Sequence, residues 1–396
     1  MEILEMLGRS RPIFIKDIEN NEEVLREIIK ESSFLVLGGA GTIGQAVVKQ
    51  LFMREPRRLD VVDISENNLV ELVRDLRSSK GYIKGDFRTF ALDCGSPIFE
   101  AFLNINNDYD YIFNLTALKH VRSEDNPYTI MRMVEVNILN TVSTIEHFIS
   151  AESKKYFAVS TDKAANPVNM MGASKSIMEL FLLYYSQRLP ISTARFANVA
   201  FSDGSLLHGF LQRFAKKQPV SAPKDTLRFF VTGEESGQLC LLSAIFGDAG
   251  EVFFPKESKE LQLTSFPDIA RRYFASFGYE LEECFSEEEA RNKTKELLKR
   301  KKWPCYFFES DTTGEKPFEE FYTSEENPVL DRFDGIGVIK KSWEEKNTET
   351  LHLFLSEIQG LLREGAWTKQ HLVNSFNKIL PKFDHVEKGK YLNSRM

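Results

Sequence analysis

A continuous apolar run, Phe34-Leu-Val-Leu37, breaks into Gly38, Gly41 and Gly44 at G-x-x-G-x-x-G spacing, and Gln45-Ala-Val-Val-Lys-Gln-Leu-Phe52 follows with helical periodicity. An unbroken apolar run of this length reads as a strand covered on both faces. Glycines allow the tight turn and let backbone approach a pyrophosphate, while the helix N-terminus offers free N–H groups and partial positive charge. An acidic residue, Asp63, lies about 20 positions further on, as the dinucleotide-binding fingerprint requires. Gly38, Gly41, Thr42, Ile43 and Gly44 are therefore candidate cofactor-binding residues.

The segments that follow alternate strand and helix. Leu59–Ile64 reads as the second strand, with Asp63 near its C-terminal end. A carboxylate there can accept from both ribose hydroxyls and repels a 2′-phosphate. No arginine follows in Ser65-Glu-Asn-Asn68, which favours NAD over NADP; a helix N-terminal carboxylate is the other reading of Asp63. The third strand, Thr89–Leu92, ends in Asp93 and Cys94, candidates to meet the adenine. The fourth, Tyr109–Asn114, leads to Thr116 and Ala117, small enough for a cofactor to lie across the strand end. Strands alternating with helices through short breaks predict an α/β fold with a Rossmann-type, doubly wound parallel sheet.

A chain of 396 residues has room for additions to that sheet. The division reads as an N-terminal helical extension over 1–33, a dinucleotide-binding domain over 34–200, a smaller α/β substrate domain over 201–335 with some chain crossing between the two, and a helical C-terminal extension over 336–396. The net charge of −7 argues against a nucleic-acid partner. No apolar run approaches the roughly 20 residues that span a bilayer. Glu2 and Glu5 stand where a signal peptide would be basic, so a cytoplasmic protein is expected. Cys94, Cys240, Cys284 and Cys305 are scattered, as are the six histidines, which predicts reduced thiols and no metal site.

The densest polar cluster follows the fifth strand, Tyr156–Ser160, where Ser160-Thr-Asp-Lys163 falls at the strand's C-terminal end. Open α/β sheets place ligands there. Asp162 and Lys163 form a candidate acid and base pair, with a solvated loop pair as the alternative. Ala164-Ala-Asn-Pro-Val-Asn-Met-Met-Gly-Ala-Ser-Lys175 then enters a helix.

Gly38, Gly41, Gly44, Asp63, Ala117-Leu-Lys-His-Val121, Ser160-Thr-Asp-Lys-Ala-Ala-Asn-Pro167 and Met171-Gly-Ala-Ser-Lys175 together resemble the extended short-chain dehydrogenases. More narrowly, they resemble the CapD-like nucleotide-sugar 4,6-dehydratases of bacterial polysaccharide biosynthesis, which act on UDP-N-acetylglucosamine. The resemblance runs from about residue 34 to about residue 322. One position departs from the superfamily's Tyr-x-x-x-Lys pair: Lys175 is present, but Met171 holds the tyrosine position. A thioether neither accepts nor gives a proton in catalysis. A subset of the family shares this methionine and shifts acid–base work to the Thr-Asp-Lys segment.

The resemblance implies NAD-dependent oxidation at C4, loss of water across C5 and C6, and return of hydride to C6. In that scheme Lys163 takes the C5 proton, Asp162 protonates the leaving C6 hydroxyl, Thr161 bonds the C4 oxygen and Lys175 binds the nicotinamide ribose. The C4 proton could go to Asp162, to water or to a relay. Lys119, His120 and Asn198 would meet the substrate. Ser205 and His208 lie in a turn-rich stretch suited to cradle a diphosphate, Arg228 and, less centrally, Arg213 would neutralise it, and Glu315 of Gly314-Glu-Lys316 would hold the nucleoside ribose. A UDP-sugar 4-epimerase and a non-catalytic NAD-binding regulator are the alternatives. The resemblance also implies a homo-oligomer.

Overall fold

A computed structural model describes residues 3–311, 313–314, 316–387 and 389. Six parallel strands open the fold: β1 (Ser33–Leu37), β2 (Arg58–Asp63), β3 (Asp86–Ala91), β4 (Tyr111–Asn114), β5 (Lys155–Thr161) and β6 (Ile191–Phe196). The sheet has nine strands in the order 328–329, 336–340, 251–255, β6, β5, β4, β1, β2, β3. Residues 251–255 run parallel to β6, 336–340 pairs antiparallel with 251–255, and 328–329 pairs antiparallel with 336–340. The α/β, Rossmann-type doubly wound class is as expected. Between β1 and β4 the strand order reverses, and such a switch point opens a crevice at the strands' C-terminal ends.

Burial explains the sequence pattern. All five residues of β1 are buried, hence its unbroken apolar run. Edge strand β3 is half exposed and begins at Asp86, earlier than its apolar core at Thr89 suggests. Arg88 reaches Asp60 of β2 at 2.7 Å, so polar residues serve an edge pair there. One face of the sheet packs Val36, Val47, Leu51, Leu239 and Leu242 with Leu25 and Ile29 from the N-terminal helix Ile15–Lys30. The other packs Leu35, Ile112, Ile145, Tyr156, Ile177 and Phe181.

After residue 200 the chain enters a smaller layer, whose sheet joins 280–283, 302–308 and 220–223. Its core contains Phe210, Ile269, Phe274 and Trp303, with Leu7 from the N-terminal segment. The helix Gly233–Phe246 and strand Glu251–Pro255 return to the large sheet in mid-course. The highly charged helix Glu287–Lys299 buries only Ala290, Thr294 and Leu297. The C-terminal extension begins with a strand, Ile336–Lys340, not a helix, because that segment completes the large sheet. The helices Thr348–Glu364 and Lys369–Ile379 follow and bury Leu351, Phe354, Ile358, Leu372 and Phe376 against the helix Met170–Tyr185 side of the core. The tail thus fills core space.

Candidate active site

Two clusters and a buried helix start converge at the strands' C-terminal ends. The first is the glycine turn. Gly38 has φ +73°, and a Cβ there would lie 2.9 Å from the Leu115 carbonyl carbon at the end of β4. A Cβ at Gly44 would lie 2.1 Å from the Gly38 oxygen. At Gly41 the nearest atom is 3.6 Å away, so that side of the turn is open. Gly41 is the N-cap of the helix Thr42–Phe52, and no side chain caps that end, which keeps its first-turn N–H groups available to an anion. Asp63 is buried and accepts from Ala40 N and Ser65 N, each at 2.9 Å. It braces the turn and retains lone pairs toward the crevice. These features fit a dinucleotide.

Other expected cofactor residues border this turn. Asp93 accepts from Gly95 N and pairs with Arg132 at 3.0 Å, while burial pushes the neighbouring Cys94 thiol up to about 12. Thr116 donates to Asn114 Oδ1 at 2.6 Å. Ala117 is half-buried on the same strand-end segment. Thr42 Oγ1 accepts from Asp203 N at 3.1 Å, so the loop 202–204 lies across the turn. That loop also meets Lys119, whose Nζ is 3.5 Å from Ser202 Oγ, and the His120 ring, which a Cβ at Gly204 would strike at 2.7 Å. Burial lowers the pKa of Lys119. Ser205 caps the helix Leu206–Ala215, accepting from His208 N, and the His208 ring lies 3.8 Å from Asp203. Arg213, further along that helix, has a buried Nε without a partner. Asn198 sits on the short ladder joining 198–199 to 230–231, beside the strand that carries Arg228.

The second cluster surrounds Asp162, which is 2% exposed. Its Oδ1 accepts from Thr161 Oγ1 at 2.8 Å and from Lys163 N and Nζ, both at 2.9 Å. Its Oδ2 is buried and has no partner. Opposite Asp162 stands Glu319, 4% exposed, with Oε1 4.0 Å from Lys163 Nζ and Oε2 3.7 Å from Lys316 Nζ. Burial and the nearby Asp162 raise the Glu319 carboxyl, against Lys163, Arg228 and Lys316. Arg228 is buried and donates to the backbone oxygens of Leu227 and Pro317, so it belongs to this group. Glu315 lies outside the described residues.

Met171 and Lys175 begin the buried helix Met170–Tyr185, capped by Asn169, which also donates to Gly314 O at 2.8 Å. Met171 is 4% exposed. Lys175 Nζ donates to Val159 O at 3.0 Å, and burial lowers its pKa to about 7. With Met178 Sδ also in reach, the ammonium keeps one donor for a ribose.

Three buried polar residues escaped the sequence reading. Asn137 clamps both the N–H and C=O of Leu118 and bonds Ser174, from within a turn of π-helix at Glu135–Leu139. Its one sequence sign is an amide in an apolar helical run. Glu124 accepts from Met171 N at 3.0 Å, and burial raises its carboxyl to about 7. Arg195 pairs with Glu179 at 2.7 Å and Glu326 at 2.8 Å and donates to Phe321 O. It ties β6 to the segment just after Glu319.

Several known proteins are similar. An uncharacterized membrane protein of Methanocaldococcus jannaschii is 31% identical over 78% of this chain and 86% of its own length. No helix among the described residues is long and apolar enough to cross a membrane. The capsular polysaccharide biosynthesis protein CapD of Staphylococcus aureus is 26% identical over 70% of this chain, which spans only 45% of that relative. The inverting UDP-N-acetylglucosamine 4,6-dehydratase of Campylobacter jejuni is 28% identical over 57% of this chain and 66% of its own. Among solved structures, Pen from Bacillus thuringiensis shares the fold, with TM-score 0.64 and 20% identity over 84% of this chain and 98% of that one. The polysaccharide biosynthesis protein family matches residues 34–341. Sheet, glycine turn and strand-end cluster agree with that match, and the chain belongs to the polysaccharide biosynthesis protein family.

Proposed function

We propose that the protein is a nucleotide-sugar 4,6-dehydratase that converts UDP-N-acetylglucosamine to a UDP-4-keto-6-deoxy-N-acetylhexosamine. One observation carries this reading. At the end of β5, a buried Asp162 bonds Lys163 through one oxygen and leaves the other without a partner. An acid and a base side by side suit removal of a proton from one carbon and delivery to the oxygen on the next. The similar dehydratase of Campylobacter jejuni supports the reading.

The glycine turn, Asp63 and Lys175 would hold NAD. When bound, NAD supplies the reversible two-electron exchange at C4 and C6. Once C4 is a ketone, the C5 proton is acidified. Lys163 removes it, Asp162 protonates the C6 oxygen, and water leaves. Thr161, whose hydroxyl bonds Asp162 at 2.8 Å, is placed to turn to the C4 oxygen. Arg228 and Lys316 offer positive charge to the diphosphate.

The test is incubation with UDP-N-acetylglucosamine in deuterated water, read by mass spectrometry and proton NMR. Loss of water with one deuterium gained at C5 is the expected result. An unchanged mass with galactose-type coupling would mean a 4-epimerase, and no change with UDP- or GDP-linked sugars would leave a non-catalytic protein.

A further inference from the structure

Resting on the dehydratase reading, we propose that Glu319 takes the C4 hydroxyl proton that a tyrosine at position 171 would otherwise take. Met171 cannot do so. The reaction needs three proton carriers: one for O4, one for C5 and one for O6. Three titratable groups stand together, Asp162 and Glu319 buried and Lys163 half-buried between them. Lys163 Nζ is 2.9 Å from Asp162 Oδ1 and 4.0 Å from Glu319 Oε1. Asp162 Oδ2 and Glu319 Oε2 are both buried and without a hydrogen-bond partner. A buried carboxylate oxygen without a donor is costly to leave unpaired and is suited to meet a substrate hydroxyl.

Glu319 is fixed from both sides. Before it, Gly314 O accepts from Asn169, Lys316 bonds Asn166 O, and Leu227 N donates to Pro317 O at 2.8 Å. After it, Arg195 holds Phe321 O and the Glu326 carboxylate. The charged groups facing it are Asp162 and Lys163 from the end of β5, Arg228 from the strand Leu227–Arg228, and Lys316 from its own segment. Burial raises its carboxyl, which makes it a stronger base than an exposed glutamate.

The protons close a cycle. Glu319 Oε2 takes the O4 proton as the C4–H electron pair departs as hydride, which bound oxidised nicotinamide would accept, and C4=O forms. Lys163 passes its proton to Asp162. Neutral Lys163 takes the C5 proton; Asp162 gives its proton to O6, the C6–O bond breaks and water departs. Hydride returns to C6, Lys163 protonates C5, and Glu319 hands its proton to Lys163. Asp162 and Glu319 end as carboxylates and Lys163 as ammonium, as they began.

The experiment compares wild type with Glu319→Gln and Glu319→Asp. Cofactor reduction on mixing with UDP-N-acetylglucosamine should slow about 10²- to 10⁴-fold in Glu319→Gln and partly recover in Glu319→Asp. Exchange of the C5 proton of the 4-keto product, which needs Lys163 but not the O4 base, should persist in Glu319→Gln and show the site intact. Infrared difference spectra of wild type against Glu319→Gln through an acid titration should show the Glu319 carboxyl titrating above the ordinary glutamate range. Wild-type dehydration with cofactor reduction unimpaired in Glu319→Gln would overturn the Glu319 assignment and leave the function standing. Reduction without dehydration would overturn the dehydratase reading, while the reduction rates still judge Glu319. No reduction by any sugar nucleotide, or a carboxyl in the ordinary range, would overturn the assignment.

Discussion

Replacing Glu179 by glutamine removes one partner of the buried Glu179–Arg195 pair. Glu179 accepts from Ser160 Oγ at 2.6 Å and from Arg195 Nε and Nη2 at 2.9 and 2.7 Å, with Lys341 at 3.3 Å. Burial alone would raise this carboxyl; Arg195 and Lys341 outweigh it and hold it at about 2, against an ordinary 4.5. At roughly 1.4 kcal/mol per pH unit, that displacement is worth about 3 kcal/mol. Breaking one side of a buried pair costs about 3–5 kcal/mol, which agrees. Because the folded carboxyl is depressed, the contribution is complete above pH 4.5 and lost as pH falls through about 2. Urea unfolding of wild type and Glu179→Gln should therefore differ by about 3 kcal/mol, and by the same amount at pH 7 and pH 6. The double variant Glu179→Gln with Arg195→Met should lose less than the single variant, because no unpaired charge stays buried. A single variant as stable as wild type, or a difference that disappears between pH 7 and pH 6, would refute the reasoning.

Three further outcomes follow from the same geometry. Asp162→Asn should retain NAD, measured by fluorescence titration, and lose turnover about 10²-fold or more, measured by product NMR; full activity would sink its assignment as the acid. Gly44→Ala places a Cβ 2.1 Å from the Gly38 oxygen, with the Gly39 backbone at 2.6 Å, so the turn must open; NAD affinity should fall below detection in calorimetry, with about 1–3 kcal/mol of stability lost. Lys175→Met should weaken NAD binding and stabilise the cofactor-free protein. Burial lowers the Lys175 pKa from 10.5 to about 7, so the ammonium opposes folding increasingly as pH falls from 10.5 to 7. The gain in melting temperature should be larger at pH 6 than at pH 9, and an equal gain at both would contradict the assignment.

The glycine turn and the Asp162–Lys163 pair are legible in sequence because each is a local pattern: glycines at a strand-to-helix junction, and charges at a strand's C-terminal end. The start of β3 at Asp86 was not, because edge strands tolerate polar residues that apolar runs do not flag. Arg195, Glu179 and Glu326 lie far apart in sequence, so their pairing is visible only in the fold. Glu319, three residues after Lys316, carries no local sequence sign of a role.

Sequence alone was enough for the fold class and the cofactor turn, since strand and helix periods and glycine geometry act between near neighbours. Tertiary structure alone decided which charges meet. Glu319 comes within 4.0 Å of Lys163 only because the smaller layer folds back over the end of β5. A carboxylate's basicity depends on what surrounds it and how far water is excluded, and both are properties of the packed chain.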